Sequence, residues 1–207
     1  MSLRSNRTIL PAAVLGGSLL VIAGMIPVRA DAVPAKAPLT STYVLSERWS
    51  PAGGLSDQAR TTLERSPLAR AALRLYEPFE TGDMTTYDRL LTEGFVDVPL
   101  APGQGPGREG MKAHVRDDIV ATFPDLKIRI EAIHVAGRVV TVRTVISGTQ
   151  VRPFLGVPAT HKVLSYRAVD VHQFNHHRQI ARTDHLEDFF GAYRQMTQPS
   201  QSARRAG

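Results

Sequence analysis

The stretch that most constrains the fold of this chain runs from Phe123 to Thr160. Within it, residues from Leu126 to His134 alternate between apolar and polar side chains with a period of two, which is typical of a β-strand with one buried face. After Ala136-Gly137, residues 138–149 are rich in Val, Ile and Thr, which favour strands. Two long strands joined by a tight turn predict an antiparallel sheet, which the rest of the chain must cover.

The remaining elements follow from periodicity and from helix start and stop signals. Helices precede the sheet, and consecutive strands form it as a meander, which predicts an α+β fold. We expect a curved antiparallel sheet wrapped around a long N-terminal helix. Such a sheet encloses an apolar interior suited to a small molecule. The Pro/Gly-rich segment Leu100–Gly107 is predicted to be a mobile loop at the mouth of that interior. The predicted helices are Ser56–Glu64, Ser66–Gly82, Thr85–Thr92, Arg108–Phe123 and Asp188–Met196, and the further strands are Phe95–Pro99, His161–Phe174 and Gln179–Leu186.

The N-terminus has the features of a bacterial export signal. Arg4 and Arg7 precede the apolar run Ile9–Val28, and Ala30-Asp31-Ala32 follows as a cleavage signal, so residues 1–32 are predicted to be a signal peptide. The alternative is an uncleaved leader that anchors the protein in the membrane, because the run approaches the roughly 20 residues of a spanning helix. Either way the domain is expected outside the cytoplasmic membrane, periplasmic or secreted. Residues 33–65 are predicted to be a linker and N-terminal arm, 66–197 the domain, and 198–207 a disordered tail.

Composition excludes several classes of site. The net charge is +6, but no Lys/Arg run interleaves with aromatic residues, so a nucleic-acid partner is not predicted. The chain has no cysteine, which excludes disulfides, a thiolate nucleophile and cysteine-ligated metals. His172 and His176 are four residues apart, but on a strand that enters a hairpin and not on one face of a helix. The sequence therefore predicts no metal site.

Four short motifs follow one another along the chain in an order typical of one protein family: Gly107-x-x-Gly110 before a helix, Phe123-Pro124-Asp125-Leu126, Gly148-Thr149, and Phe154-x-Gly156-x-Pro158-Ala159-Thr160. With them, the chain from about Ser66 to Met196 resembles the SnoaL-like polyketide (ester) cyclases of the nuclear-transport-factor-2-like superfamily, which implies a cystatin-like cone. Two positions depart from the family's usual pattern. Gln150 stands where a His is common, and His161 where a Gly is common.

The resemblance implies an intramolecular aldol ring closure that needs no metal or cofactor, in which a carboxylate removes an acidic carbon-bound proton from a carbonyl compound. The candidate catalytic residues are Asp188, which matches the family's late Asp, Asp184 as the runner-up, and His185 between them. The alternative roles are a helix N-cap for Asp188 and a surface position for Asp184. The alternative function is a non-catalytic ligand-binding or assembly module of the same fold.

Seven further residues are candidates for contact with a small-molecule ligand. Their alternatives are a solvent-facing position for the arginine, packed or exposed positions for the histidines, and core positions for the tyrosines. The resemblance also implies a homodimer that pairs through the exposed face of the sheet. The candidates are Arg143, His114, His134, Tyr76, Tyr166, Gln150 and His161.

Overall fold

The computed structural model describes residues 49–198, and the predicted α+β fold is confirmed. The predicted signal peptide, most of the predicted linker and most of the predicted tail lie outside these residues. The helices are α1 Asp57–Arg65, α2 Pro67–Leu73, α3 Glu77–Thr81, α4 Thr85–Leu90, α5 Gly107–His114 and α6 Phe189–Thr197. The strands are β1 Leu91–Val98, β2 Lys127–Ala136, β3 Val139–Thr149, β4 Val163–Phe174 and β5 Ile180–Glu187.

The five strands form one sheet in the order β1-β5-β4-β3-β2. All neighbours are antiparallel except β1 and β5, which are parallel. Burial alternates strictly along the first half of β4, where Leu164, Tyr166 and Ala168 are buried and the residues between them are exposed. One face of the sheet therefore carries the core and the other faces solvent, as the period-two pattern predicts.

The helix predicted from Ser66 to Gly82 begins and ends as expected but is not continuous. Ser66 caps α2 by accepting from the amide of Ala69 at 3.1 Å, and Gly82 ends α3 with a φ of 73°. Between α2 and α3, residues 74–76 form one tight 3₁₀ turn just before Pro78, which lacks an amide hydrogen. This turn directs Leu75 and Tyr76 toward the sheet, where both are buried.

The helix predicted from Arg108 to Phe123 is also divided. It begins as α5 and continues over Val115–Val120 as one wider π-helical turn. Such turns are uncommon and often occur near functional sites. Here the turn places Asp117, Asp118 and Ile119 at the rim of the space that the inner face of the sheet lines.

An N-terminal arm covers the outer edge of β2. Gly53 donates to the carbonyl of Ile128 at 3.0 Å, and Ser56 donates to that of Ile130 at 3.0 Å. Further along this edge, the side-chain amide of Gln58 donates to the carbonyl of Ile133 and accepts from its N–H. The arm and α1 therefore satisfy an edge that would otherwise present free backbone groups. No helix of residues 49–198 is long and apolar enough to cross a membrane.

Candidate active site

A cavity of about 610 Å³ lies between the inner face of the sheet and the helices. Its wall is mostly apolar and aromatic, a composition typical of small-molecule sites. The loop predicted at the mouth contributes Leu100, Ala101 and Pro102, and the elbow after β3 contributes Phe154 and Leu155. Four ionisable groups of the wall form a polar cluster where the inner faces of β1, β4 and β5 meet: Asp97, Asp170, His185 and Glu187.

Asp170 is the most deeply placed carboxylate of this polar cluster. It lies on the inner face of β4, is 9% exposed and lines the cavity. One of its oxygens, Oδ2, accepts from the hydroxyl of Tyr76 at 2.7 Å, while Oδ1 has no hydrogen-bond partner among residues 49–198. Burial raises the pKa of Asp170 to about 7, although the Tyr76 hydrogen bond opposes the shift. The carboxyl group can therefore both accept and return a proton near neutral pH.

Behind Asp170, a chain of hydrogen bonds has a defined direction. Tyr76 gives its only hydroxyl hydrogen to Asp170, so the 3.2 Å contact between Tyr76 Oη and His172 Nε2 requires the imidazole to donate. His172 Nδ1 then accepts from the hydroxyl of Thr183 at 2.9 Å. Burial lowers the pKa of His172 to about 3, so its ring is neutral. Each hydrogen in the chain points toward the Asp170 carboxylate, which stabilises its ionised form.

His185 faces Asp170 across the β4–β5 pair, and its ring is held at both nitrogens. Nδ1 lies 2.7 Å from Oε1 of Glu187, and Nε2 lies 2.8 Å from the carbonyl oxygen of Pro99. Both partners are acceptors, so both nitrogens donate and the ring is an imidazolium. Burial opposes this charge, but the hydrogen bond to Glu187 and the charges of Glu187 and Asp97 raise the pKa of His185 to about 9. His185 is therefore a fixed cation and not a base at neutral pH.

Asp97 completes the polar cluster from β1. Its side chain is 8% exposed; Oδ1 lies 3.4 Å from His185 Nε2, and Oδ2 accepts from Gln104 at 2.8 Å. Burial raises the pKa of Asp97, and the Gln104 hydrogen bond opposes this shift. Because Gln104 belongs to the loop at the mouth, that loop is bonded directly to the polar cluster.

Tyr166 offers the cavity a free donor. It is 7% exposed and lines the cavity beside Phe189, with the two ring centres 6.1 Å apart. Its hydroxyl has no hydrogen-bond partner in the described part of the chain, and burial raises its pKa, so the group stays protonated. Ala168 lies between Tyr166 and Asp170 on the inner face of β4 and also lines the cavity.

Four residues predicted from the sequence to line the site do so. His185, Tyr76 and Tyr166 belong to the groups described above. His114 lies nearer solvent, where Nδ1 is 2.8 Å from Oδ2 of Asp118, one turn further along the helix. These residues come together because an inner strand face and two helices converge on one cavity.

The two carboxylates predicted to be catalytic lie elsewhere. Asp188 is the N-cap of α6, where Oδ1 accepts from the amide of Gly191 at 2.8 Å, so its alternative role is the one observed. Asp184 does not line the cavity, and its carboxylate accepts from Arg182 Nε at 2.8 Å. Asp184 alternates with the inward-facing His185, which places it on the outer face of β5. Neither Asp184 nor Asp188 lines the cavity.

The other four predicted ligand contacts are also outside the cavity. Arg143 and His134 are exposed, and Arg143 lies beside Glu131 with its Nε 3.5 Å from Oε2. Gln150 is fully buried and binds the elbow, accepting from the amide of Thr160 at 3.0 Å. His161 is exposed and has a positive φ of 55°, a backbone conformation that Gly adopts most easily, which gives a physical reason for Gly at this position in the family pattern.

Sequence reasoning missed Asp97, Asp170 and Glu187, although all three line the cavity. Asp170 could have been found from the sequence, because it is the one carboxylate among the alternate residues of β4 that face the core, such as Tyr166. Among residues 49–198, no group of three or more His, Asp or Glu has the geometry to hold a metal ion.

The chain is similar to one described protein family and to several solved structures. Residues 69–196 match the family model described as SnoaL-like polyketide cyclase. No protein with a curated description matches the chain. The structure of TsrD from Streptomyces laurentii is 24% identical, with a TM-score of 0.55 over 69% of this chain and 97% of that one.

Two other solved structures are named as candidate polyketide cyclases. The protein from Bacillus cereus ATCC 10987 is 26% identical, with a TM-score of 0.57 over 73% of this chain and 95% of its own. IdmH from Streptomyces antibioticus is 25% identical, with a TM-score of 0.53 over 63% of this chain and 98% of its own. In these three comparisons the shared fold covers nearly all of each relative and 63–73% of this chain.

Proposed function

Because this chain belongs to the SnoaL-like polyketide cyclase family, we propose that its cavity binds a small, largely apolar carbonyl compound and catalyses its enolisation and intramolecular aldol closure. The observation that carries the proposal is the placement of Asp170. Asp170 lines an apolar cavity, its Oδ1 has no hydrogen-bond partner among residues 49–198, and its pKa of about 7 suits a group that takes up and returns a proton.

The reaction needs only groups that line the cavity. Asp170 removes a proton from a carbon flanked by two carbonyls, and the electron pair moves onto a carbonyl oxygen to form an enolate. The free hydroxyl of Tyr166 donates to that oxygen, and the His185 imidazolium stabilises negative charge nearby. The enolate carbon then attacks a second carbonyl of the same molecule, and the resulting alkoxide takes the proton from Asp170. The product is a β-hydroxy ring, and the enzyme returns to its starting state.

A proton-exchange assay tests this proposal without knowledge of the natural substrate. Deuterium exchange at the acidic carbon of 2-acetylcyclohexanone is followed by NMR with the wild type, Asp170→Asn and Asp184→Asn. The two variants make the same chemical change inside and outside the cavity. We expect Asp170→Asn to slow the enzyme-dependent exchange by at least 100-fold, in the usual range for loss of a general base, and Asp184→Asn to leave it unchanged.

The result also separates this proposal from its main alternative. Equal exchange rates for the wild type and Asp170→Asn would remove Asp170 as the base. If the wild type binds the diketone without accelerating exchange, the protein acts as a ligand-binding module of the same fold.

We further propose that the N-terminal leader exports the domain, on the grounds of its basic residues, apolar run and cleavage signal. N-terminal sequencing of the protein from its native source tests this. A mature N-terminus at Val33 supports cleavage, whereas an intact leader in the membrane fraction supports the anchored alternative.

The proposed homodimer rests on the outer face of the sheet. Val163 and Leu186 are 70% and 76% exposed there, which leaves a partly apolar surface that a second copy could cover. Analytical ultracentrifugation distinguishes the two states, and a monomer at all accessible concentrations would refute the dimer.

A further inference from the structure

The polar cluster of the cavity is unbalanced in charge. Three carboxylates, Asp97, Asp170 and Glu187, share it with a single cation, His185. Their side chains are mostly withdrawn from solvent, and the surrounding wall is apolar, so their fields are weakly screened. When Asp170 is ionised, the cluster carries more negative than positive charge.

Charges nearer the mouth do not offset this excess. Asp117 is paired with Arg116 at 2.7 Å, and both side chains are more than half exposed. Asp118 is also more than half exposed and lies against His114. Arg152 is an exposed residue of the elbow. Solvent screens such groups, so they contribute little to the potential deep in the cavity.

The single inner cation has no hydrogen left for a ligand. Both ring nitrogens of His185 are committed, one to Glu187 and one to the carbonyl of Pro99. A ligand carboxylate placed in the cluster would therefore meet like charges without gaining a charge-assisted bond to an imidazolium. An ammonium group would instead meet carboxylate oxygens, including the free Oδ1 of Asp170, and the faces of aromatic residues such as Phe95.

We propose that this cavity selects its ligand by charge, accepting apolar compounds that carry an amine most readily, then uncharged ones, and excluding those with a free carboxylate. The inference rests on the proposed function only in taking the cavity as the binding site. It names a property of the substrate class that the family resemblance leaves open.

Three naphthyl probes with nearly the same apolar body test the selection: 2-(2-naphthyl)ethylamine, 2-(2-naphthyl)ethanol and 2-naphthylacetic acid. Binding to the full-length protein is measured by calorimetry at pH 8 and low salt. We expect the amine to bind at least tenfold more tightly than the acid, with the alcohol between them. Equal or tighter binding of the acid, or no binding of any probe, overturns the proposal.

The pH dependence of the ratio of amine to acid affinity identifies which group carries the selecting negative charge. The groups that face Asp170 are Tyr76, His172, His185, Glu187 and Asp97. The two charged probes keep their charge between pH 6 and pH 8, while Asp170 ionises in that interval. The ratio of amine to acid affinity should therefore rise severalfold between pH 6 and pH 8 in the wild type.

Two variants complete the experiment. Asp170→Asn should abolish most of this rise, and Asp184→Asn, outside the cavity, should retain it. A rise of the same size in Asp170→Asn would assign the effect to other groups and refute the role of Asp170. The outcome is independent of catalysis: if proton exchange survives in Asp170→Asn while the charge preference is lost, the proposed base fails and the charge selection stands.

Discussion

The strongest consequence of the Asp170 environment is a change of stability with pH. The pKa of this buried carboxyl is raised from its ordinary value of 3.8 to about 7. Between those two values the folded protein holds the proton and the unfolded chain does not. The contribution of Asp170 to stability is therefore fully present below pH 3.8 and is lost as the pH rises toward 7.

The size of this change in the free energy of unfolding follows from the pH interval between the unfolded and folded pKa values of Asp170. Well below pH 7, each further pH unit lowers the free energy of unfolding by about 1.4 kcal/mol, and this slope halves at pH 7 and vanishes above it. The total loss is about 2 kcal/mol from pH 5 to pH 7 and about 3 kcal/mol from pH 5 to pH 8. Asp170→Asn has no proton to lose and retains an oxygen to accept the Tyr76 hydroxyl. Relative to the wild type, the variant should therefore gain about 3 kcal/mol between pH 5 and pH 8.

Urea unfolding at pH 5, 6, 7 and 8 measures this difference for the wild type, Asp170→Asn and Asp184→Asn. The other titrating groups are common to all three proteins and cancel in the comparison. The Arg182 hydrogen bond lowers the pKa of Asp184, so Asp184 is ionised in both states over this range and its variant should show no trend. A stability difference between the wild type and Asp170→Asn that is constant from pH 5 to pH 8 would refute the assigned environment of Asp170.

Two further predictions concern the groups behind and beside the cavity. The ring of His172 should be neutral and protonated at Nε2 from pH 5 to pH 8. Its ¹⁵N chemical shifts, measured by NMR, should change with a midpoint near pH 7 as Asp170 ionises. Protonation at Nδ1 would contradict the direction of the hydrogen-bond chain. Gln150→Leu should lower the free energy of unfolding by about 2–4 kcal/mol, because it leaves buried elbow groups such as the Thr160 amide without a partner. Urea unfolding checks this, and the exposed Gln173→Leu should change stability by less than about 0.5 kcal/mol.

The strands could be predicted because their pattern is local and regular. Burial follows sequence parity along β3 and β4, so each alternate residue from Leu164 to Phe174 faces the core. The same alternation places Asp170 on the inner face of β4. A carboxylate among otherwise apolar, inward-facing residues indicates a functional group. The motif resemblance directed attention to Asp188 instead, although that residue follows β5 at the position that caps the next helix.

The charge of His185 is only partly visible in the sequence. Its strongest support is local, because Glu187 lies two residues along β5 and its carboxylate accepts from Nδ1. The remaining support comes from Asp97 and the carbonyl of Pro99, which lie more than 80 residues earlier and are brought close by the parallel pairing of β1 with β5. Local periodicity determines which side chains face inward, and this long-range strand pairing adds partners that the sequence does not reveal.

The arm along β2 has a consequence for where this domain begins. A chain cut at Ala69, where the family match starts, would lose the partners of Ile128, Ile130 and Ile133 and expose a row of free amides and carbonyls. Unprotected strand edges of this kind pair with other chains and lead to aggregation. We therefore expect a chain that begins at Ala69 to aggregate more readily than one that retains the segment from about Pro51 to Arg65, so the unit that folds well should be longer than the stretch that defines the family.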